Sequence, residues 1–429
     1  MPEITAFRAW RYNPEQFGPD LSEMVALPYD VLTAEDKQRL LSRSERNIVA
    51  VDLPFVPPKS AGPDHVYAEA AERLNVWRED GTLMVEDEPA IYVYHQIYEH
   101  GGKQYTRKKF FARLRLEPFG QGGVFPHEHT FGGPKEDRLK LMQATSFQLS
   151  AVFGLYSDPH GAVARLLEPG SRKPDATAEL DTVTNRMWAV TDPAIIKAVQ
   201  QEMSTKPVYI ADGHHRYGTA LNYRDKRCAA GELPMDHPAR FVLVGLCAME
   251  DPGALILPTH RIISGFGDLN VESVLGKLRD GLKLEPAAGT PADFDTILPQ
   301  TSPYDLAVWV DATKQMFLAR FSERGILDQL APEQSPAWRN LDLAYIHTYL
   351  LDELLTRDLL GGSPPTVHYA RSGADADNLV RHDKGIALIC KACTMEDLRG
   401  VSQAGDLMPQ KSTFFYPKLA TGLVLNPLD

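Results

Sequence analysis

Within Asp212-Gly213-His214-His215-Arg216-Tyr217 the chain gathers a carboxylate, a glycine, two imidazoles and a guanidinium. The chemistry this set suits is the holding of an anion. Pro207 to Ala211 before it read as a strand, and Tyr217, Ala220, Leu221 and Arg224 after it fall at helical spacing. The stretch therefore predicts strand, tight turn and helix. At a helix N-terminus, unpaired backbone N–H groups and the positive end of the dipole favour an anion. Gly213 allows close backbone approach, and the planar fork of Arg216 suits phosphate or carboxylate. Asp212 is either the helix cap or a group that handles a metal or a proton. The plain structural alternative is a capped, solvated first turn.

Three further stretches carry groups that do chemistry. Asp30, in Pro28-Tyr29-Asp30-Val31, falls in a short loop before a helix, either as a turn residue or as a general base. In Phe125-Pro126-His127-Glu128-His129-Thr130 the histidines alternate with Glu128, and Lys135 and Arg138 follow closely. That set lacks the helical spacing of a zinc-protease motif and reads as acid/base and phosphate handling. Near the C-terminus, Lys411-Ser412-Thr413 precede three aromatics, and are candidates for contacts to phosphates or to the carboxylate of a small substrate.

These residues need elements to position them. Thr33 to Asp36 is an N-cap signal with an acidic first turn for a helix to about Arg43, and Tyr67 to Trp77 has an apolar stripe stopped by Gly81. Ile91 to Tyr98 and Gln104 to Leu116 alternate around Gly101-Gly102, which predicts a hairpin. Its cations Arg107, Lys108 and Lys109 are expected on a solvated face. Arg165 to Thr184 reads as a polar excursion, Pro193 to Met203 as a helix, and Phe241 to Leu246 as a buried strand. Beyond Gly265 come further helix and hairpin patterns, including a long helix from Asn340 to Gly361. Gly385 to Cys390 reads as a core strand, so Cys390 and Cys393 are taken as its end and not as half of a zinc site.

The balance of 45 basic against 57 acidic side chains, net −12, argues against general nucleic-acid binding. No Gly-x-x-x-x-Gly-Lys-Ser/Thr loop, helix-turn-helix signal, signal peptide or membrane-length apolar run is present, and a cytoplasmic location away from membranes is expected. The oligomeric state is not written in the sequence.

The Asp212 to Tyr217 motif resembles the phosphate-binding signature of the ParB/sulfiredoxin superfamily. Sulfiredoxins carry Gly-Gly-Cys-His-Arg-Tyr there, with a cysteine at the place of His214. Free-serine kinases carry Asp-Gly-His-Thr-Arg. With Pro28 to Val31, His127-Glu128 to Arg138-Leu139, Pro258-Thr259-His260-Arg261 and Met408 to Lys418, the chain resembles the domain-of-unknown-function 1015 family. The fold implied is α+β, mixed sheets with flanking helices. It comprises a ParB/sulfiredoxin-like core with large insertions over 1–265 and a C-terminal α/β lobe over 266–429, whose tail packs back near the site.

The activity implied is transfer of a phosphoryl group from ATP or ADP to a hydroxy amino acid, with L-serine the first candidate. Gly213, His214, His215 and Arg216, with Lys135 and Arg138, would bind phosphates, and Asp212 would place magnesium or the hydroxyl. Asp30 is the candidate base and Glu128 the reserve. His260, Arg261, Lys411, Ser412 and Thr413 would contact substrate. Two other classes are open: a nucleotide sensor without catalysis, and a metal-dependent hydrolase built on His127, His129, His214 and His215.

Overall fold

The structure, a computed structural model, describes residues 2–58, 60–128, 132–231 and 233–429, with backbone alone for 132–134. The chain is an α+β protein of two compact units, Met1–Leu255 with Pro417–Asp429, and Ile256–Tyr416. The sequence put the boundary after 265 and the whole tail with the second lobe. Residues 417–429 instead belong to the first unit, because their backbone bonds there: Asn426 pairs with Gln148, Thr421 with Ala26 and Leu425 with Trp10. Among the described residues, no helix is long and apolar enough to cross a membrane.

The first unit contains the helices α1 (Ala34–Arg43), α2 (Asp64–Glu79), α3 (Gly132–Thr145), α4 (Pro193–Met203) and α5 (His214–Ala230). Its main strands are β1 (Ile91–His100), β2 (Lys103–Arg115), β3 (Val124–Phe125), β4 (Val152–Tyr156), β5 (Ala176–Leu180), β6 (Val183–Val190), β7 (Val208–Asp212) and β8 (Phe241–Ala248). They form one mixed sheet in the order β3-β7-β4-β8-β2-β1-β6-β5. Pairings β3 to β7 and β4 to β8 are parallel, and the other pairings in that path are antiparallel.

Strand alternation decides which face each residue serves. Phe110, Ala112 and Leu114 of β2, Val208 and Ile210 of β7 and Val242, Val244 and Leu246 of β8 enter one apolar core. Tyr217, Ala220 and Tyr223 of α5 and Leu139 and Met142 of α3 join it. On the other face of β2 lie Arg107 and Lys109, and both are buried, contrary to the solvated face expected for them. Gln96 Oε1 accepts from both, and Arg107 also donates to Pro417 O. Only Lys108 points outward, to Glu168 at 2.7 Å. The polar stretch 165–184 is likewise more ordered than its composition suggested, since Ala176–Leu180 pairs with β6 and extends the sheet.

The second unit has a sheet of β9 (His260–Ser264), β10 (Leu282–Ala287), β11 (Asp305–Val310), β12 (Gln315–Phe321), β13 (Thr366–Ala370) and β14 (Ile386–Ile389), ordered β10-β12-β11-β14-β9-β13. Trp309, Ala387, Ile389 and Ile262 make its core with Phe294 and Val380. The predicted long helix is present as Tyr345–Leu359, with Leu350, Leu354 and Leu355 buried.

Candidate functional site

At the end of β7 the pairing with β4 slips: Ile210 faces Gly154, yet Asp212 faces Phe153. An extra residue of this kind twists a strand and re-aims the side chain after it. Gly213 then turns the chain at φ +87°, the left-handed region that glycine enters without strain. It occupies the cap position of α5 and offers no side chain to cap it. Asp212 is therefore not the cap. Its Oδ1 accepts from Gly213 N at 2.9 Å, and its Oδ2 accepts from Lys418 Nζ at 2.9 Å. Gly213 brings no capping side chain to this helix N-terminus, the kind of helix end whose dipole suits an anion.

Arg216 folds back over Gly213, so that a Cβ at 213 would lie 2.9 Å from Arg216 Cζ. Its Nη1 donates to Ala151 O, and its Nη2 stands 3.6 Å from Asp212 Oδ2. Although Arg216 is only 7% exposed, its buried Nη2 makes no hydrogen bond. Burial alone would loosen the proton of this guanidinium, but Asp212, Asp30, Tyr29 and Asp52 outweigh that and hold it charged. Gly213→Ala is expected to cost about 1–2 kcal/mol in backbone strain and to push Arg216 from its place. Chemical denaturation and nucleotide titration of that variant would both read the loss.

Asp30 sits in the turn Tyr29–Val31, just ahead of α1, where the expected N-cap Thr33 forms a reciprocal capping box with Asp36. Its Oδ1 is buried and accepts no hydrogen bond. The turn is fixed through its neighbour, because Arg138 of α3 lies 3.8 Å over the Tyr29 ring. Arg138 was expected to bind phosphate; here two of its nitrogens are engaged by the fold, while Nη2, 2.7 Å from Asp137 Oδ2, makes no hydrogen bond. Nη1 donates to Asp52 O at 2.6 Å, and Nε donates to Asp137 Oδ2 at 2.7 Å. Tyr67 OH donates to Asp137 Oδ1 at 2.7 Å and Ser150 Oγ to Asp52 Oδ2 at 2.8 Å. Burial would lower the Arg138 pKa, yet Asp52 and Asp137 raise it above its ordinary value. This guanidinium is a structural hub between α2, α3 and the Asp30 turn. Between it and Arg216 is a cavity of about 30 Å³, also lined by Asp52 and Ser150, the size of one water molecule.

His127 and His214 meet edge to face at 4.6 Å. His127 N donates to His214 Nε2 at 3.2 Å, and His127 Nδ1 bonds Ile210 O at 2.7 Å. A neutral ring that accepts at Nε2 carries its proton on Nδ1, and in His214 that atom is 3.8 Å from Glu128 Oε2. His214 thus faces Glu128 with its proton. Glu128 Oε1 is 4.0 Å from His127 Nε2. Of the other expected phosphate ligands, His215 follows in the first turn of α5 and Lys135 lies against Gly218 of that helix. His129 lies outside the described residues.

Residues 4–344 match the family described as "Protein of unknown function (DUF1015)". The chain belongs to that family. No curated protein matches this DUF1015 chain. Among solved structures it is similar to a free serine kinase in complex with ADP, at 13% identity and TM-score 0.33, covering 70% of this chain and 89% of that one. A conserved hypothetical protein from Pyrococcus furiosus matches at 14% identity and TM-score 0.30, over 70% and 92% of the two chains. SbnI with C-terminal truncation from Staphylococcus aureus matches at 12% identity and TM-score 0.35, over 74% and 87%.

The remaining sequence candidates of the DUF1015 chain lie in its second unit. His260 is buried between Asp295, 3.1 Å from its Nε2, and Cys390 N, 3.1 Å from its Nδ1. Arg261 is also buried and donates to Lys411 O at 3.0 Å and Gln410 O at 3.3 Å, so it shapes that turn with its fork already engaged. Lys411 is exposed with φ +59°, and Ser412 is buried and donates to Pro409 O at 2.6 Å. Thr413, next to it, is half-buried. Sequence reasoning missed Lys418, the partner of Asp212. Its place after Pro417 carried no signal of its own.

Asp212 does not fit the metal role expected of it. Its oxygens are held by Lys418 and Gly213 N, and among the described residues no group of three or more His, Cys, Asp or Glu is arranged to hold an ion.

Burial holds the His214 pKa well below its ordinary value, helped by His127, and burial lowers that of His127 against the pull of Glu128. For Asp212, burial would raise the pKa, but Lys418 and Arg216 overcome it and depress it. All three folded pKa values lie below the unfolded ones, so the unfolded chain binds more protons and acid destabilises the fold. The imidazole contribution is complete above about pH 6.5 and is lost as pH falls further; that of Asp212 is complete above about pH 3.9. Thermal melts should show Tm falling between pH 7.5 and 5, with a shallower fall in His214→Gln, whose amide oxygen still accepts from His127 N.

Proposed function

We propose that this protein is a small-molecule kinase that moves the terminal phosphoryl group of ATP or ADP onto the hydroxyl of a hydroxy amino acid, with L-serine the leading acceptor. The observation that carries the reading is a pair of buried, unsatisfied atoms: the acceptor Asp30 Oδ1 and the donor Arg216 Nη2. Asp30 acts electrostatically on the Arg216 guanidinium, so the two lie in one field. A phosphate oxygen on Arg216 and an attacking hydroxyl on Asp30 would satisfy both at once. A buried polar atom left unpaired is costly, and such atoms collect where a ligand completes the bonding.

In this reading the N-terminus of α5, the Arg216 fork and the Lys135 ammonium hold the phosphates. They also neutralise the charge that spreads over the transferred group. The serine Oγ attacks the terminal phosphorus as Asp30 takes its proton. The phosphoanhydride bond breaks, and O-phosphoserine leaves with ADP from ATP or AMP from ADP. Magnesium, where present, would arrive on the nucleotide's phosphates and lend further charge neutralisation. Asp212 is committed to Lys418 and Arg216, and its work is to fix the turn. Serine as acceptor rests on the resemblance of Asp212 to Arg216 to the free-serine kinases.

Consumption of ATP or ADP, followed across a panel of hydroxy compounds led by L-serine, tests the proposal. Acceptor-dependent turnover that disappears in Arg216→Met supports it. Tight nucleotide binding with no acceptor dependence would instead assign the cradle to a sensor.

A further inference from the structure

Gly218 stands inside α5, one turn beyond His214, where glycine is a poor helix former. A residue that weakens its own helix calls for a packing reason. A Cβ at 218 would lie 3.1 Å from Lys135 Cε and 3.5 Å from Lys135 Nζ, so the end of the Lys135 side chain fills the space a methyl group would take. The Cα–Cβ direction in a helix leans toward its N-terminus, which puts that space over the turn of His214 and His215. Lys135 reaches it from the first turn of α3, where its carbonyl is 3.5 Å from Thr219 Oγ1. Lys135 is half-buried, and among the described residues no carboxylate pairs with it.

A second, independent feature marks the same helix end. Arg216 Nη2 is buried without a hydrogen bond, although it lies at the start of this helix. A cation laid along the helix and a cation folded over its positive end both favour one kind of ligand, a polyphosphate.

The geometry points to Gly218 as a positioning residue for a nucleoside di- or triphosphate: its missing side chain seats Lys135 over the first turn of α5, where the ammonium and the Arg216 fork take the phosphates. This deepens the phosphate-site reading and rests on it, but it is independent of the acceptor. It has an uncommon signature, because Gly218→Ala favours the helix while it displaces the cation. Stability and binding should therefore move in opposite directions.

The test uses the full chain and ADP as the probe, with calorimetric titration and thermal melts on wild type, Gly218→Ala, Lys135→Ala and the double variant. Gly218→Ala is expected to raise Tm by about 2 °C. It should also weaken ADP binding by about tenfold. In the Lys135→Ala background the same substitution should still raise Tm but cause no further loss of affinity, since its effect passes through Lys135. Unchanged ADP affinity in Gly218→Ala overturns the inference, as does an equal loss in the Lys135→Ala background. If wild type binds ADP and Gly218→Ala weakens it but serine is not phosphorylated, the acceptor assignment falls and this inference stands. If wild type does not bind ADP, both fall.

Discussion

Replacing Asp30 by Asn should lower turnover by about 10²- to 10⁴-fold, the usual range for losing a general base. ADP affinity should stay within about twofold, since Asn keeps the shape of the side chain and the phosphate ligands lie elsewhere. The expectation follows from the placement of Asp30, whose neighbour Tyr29 is buried beneath Arg138 while one carboxylate oxygen stays buried and unbonded. The turn thus fixes the carboxylate without using it. Steady-state kinetics with calorimetry on the same preparation separate the two effects. Asp30→Asn that keeps full turnover removes Asp30 as base and passes the role to Glu128.

Arg138→Met should destabilise the first unit by about 3–5 kcal/mol, the range for removing one partner of a buried ion pair. The substitution leaves two buried carboxylates, Asp52 and Asp137, without the guanidinium that bonds both. It also frees the Tyr29 ring. Denaturant unfolding measures the change, and a cost under about 1 kcal/mol, as for an exposed pair, would contradict the buried hub. Arg138→Lys keeps the charge and loses the planar fork, so an intermediate cost is expected of it. Had Arg138 served phosphate directly, nucleotide affinity would fall more than stability.

The parts of this chain written in local pattern were legible in its sequence. The strand, glycine turn and helix at 208–230, the N-cap at Thr33 and the hairpin of β1 and β2 follow from periodicity and turn residues acting within a few positions. The rest depends on partners distant in sequence. The groups that hold Arg138 in the fold, Asp52 and Tyr29 directly and Tyr67 through Asp137, lie between 71 and 109 positions away. Arg107 and Lys109 looked like a solvated face because their cover, the chain at Pro417 and Lys418, returns from some 310 residues onward. Lys418 itself gains meaning only when Asp212 lies 2.9 Å from it. The vacant cap of α5 was equally hidden. An aspartate before a helix reads as a cap, and only the slip in the β7 pairing with Gly213 in between turns it elsewhere.

The most direct test of the kinase reading is phosphorus NMR of wild-type protein with ADP or ATP, magnesium and L-serine. A phosphomonoester resonance that grows with serine, matched by AMP from ADP or ADP from ATP, is the predicted result. Nucleotide that remains intact with serine and with every other hydroxy compound tried, while still binding the protein, would contradict it.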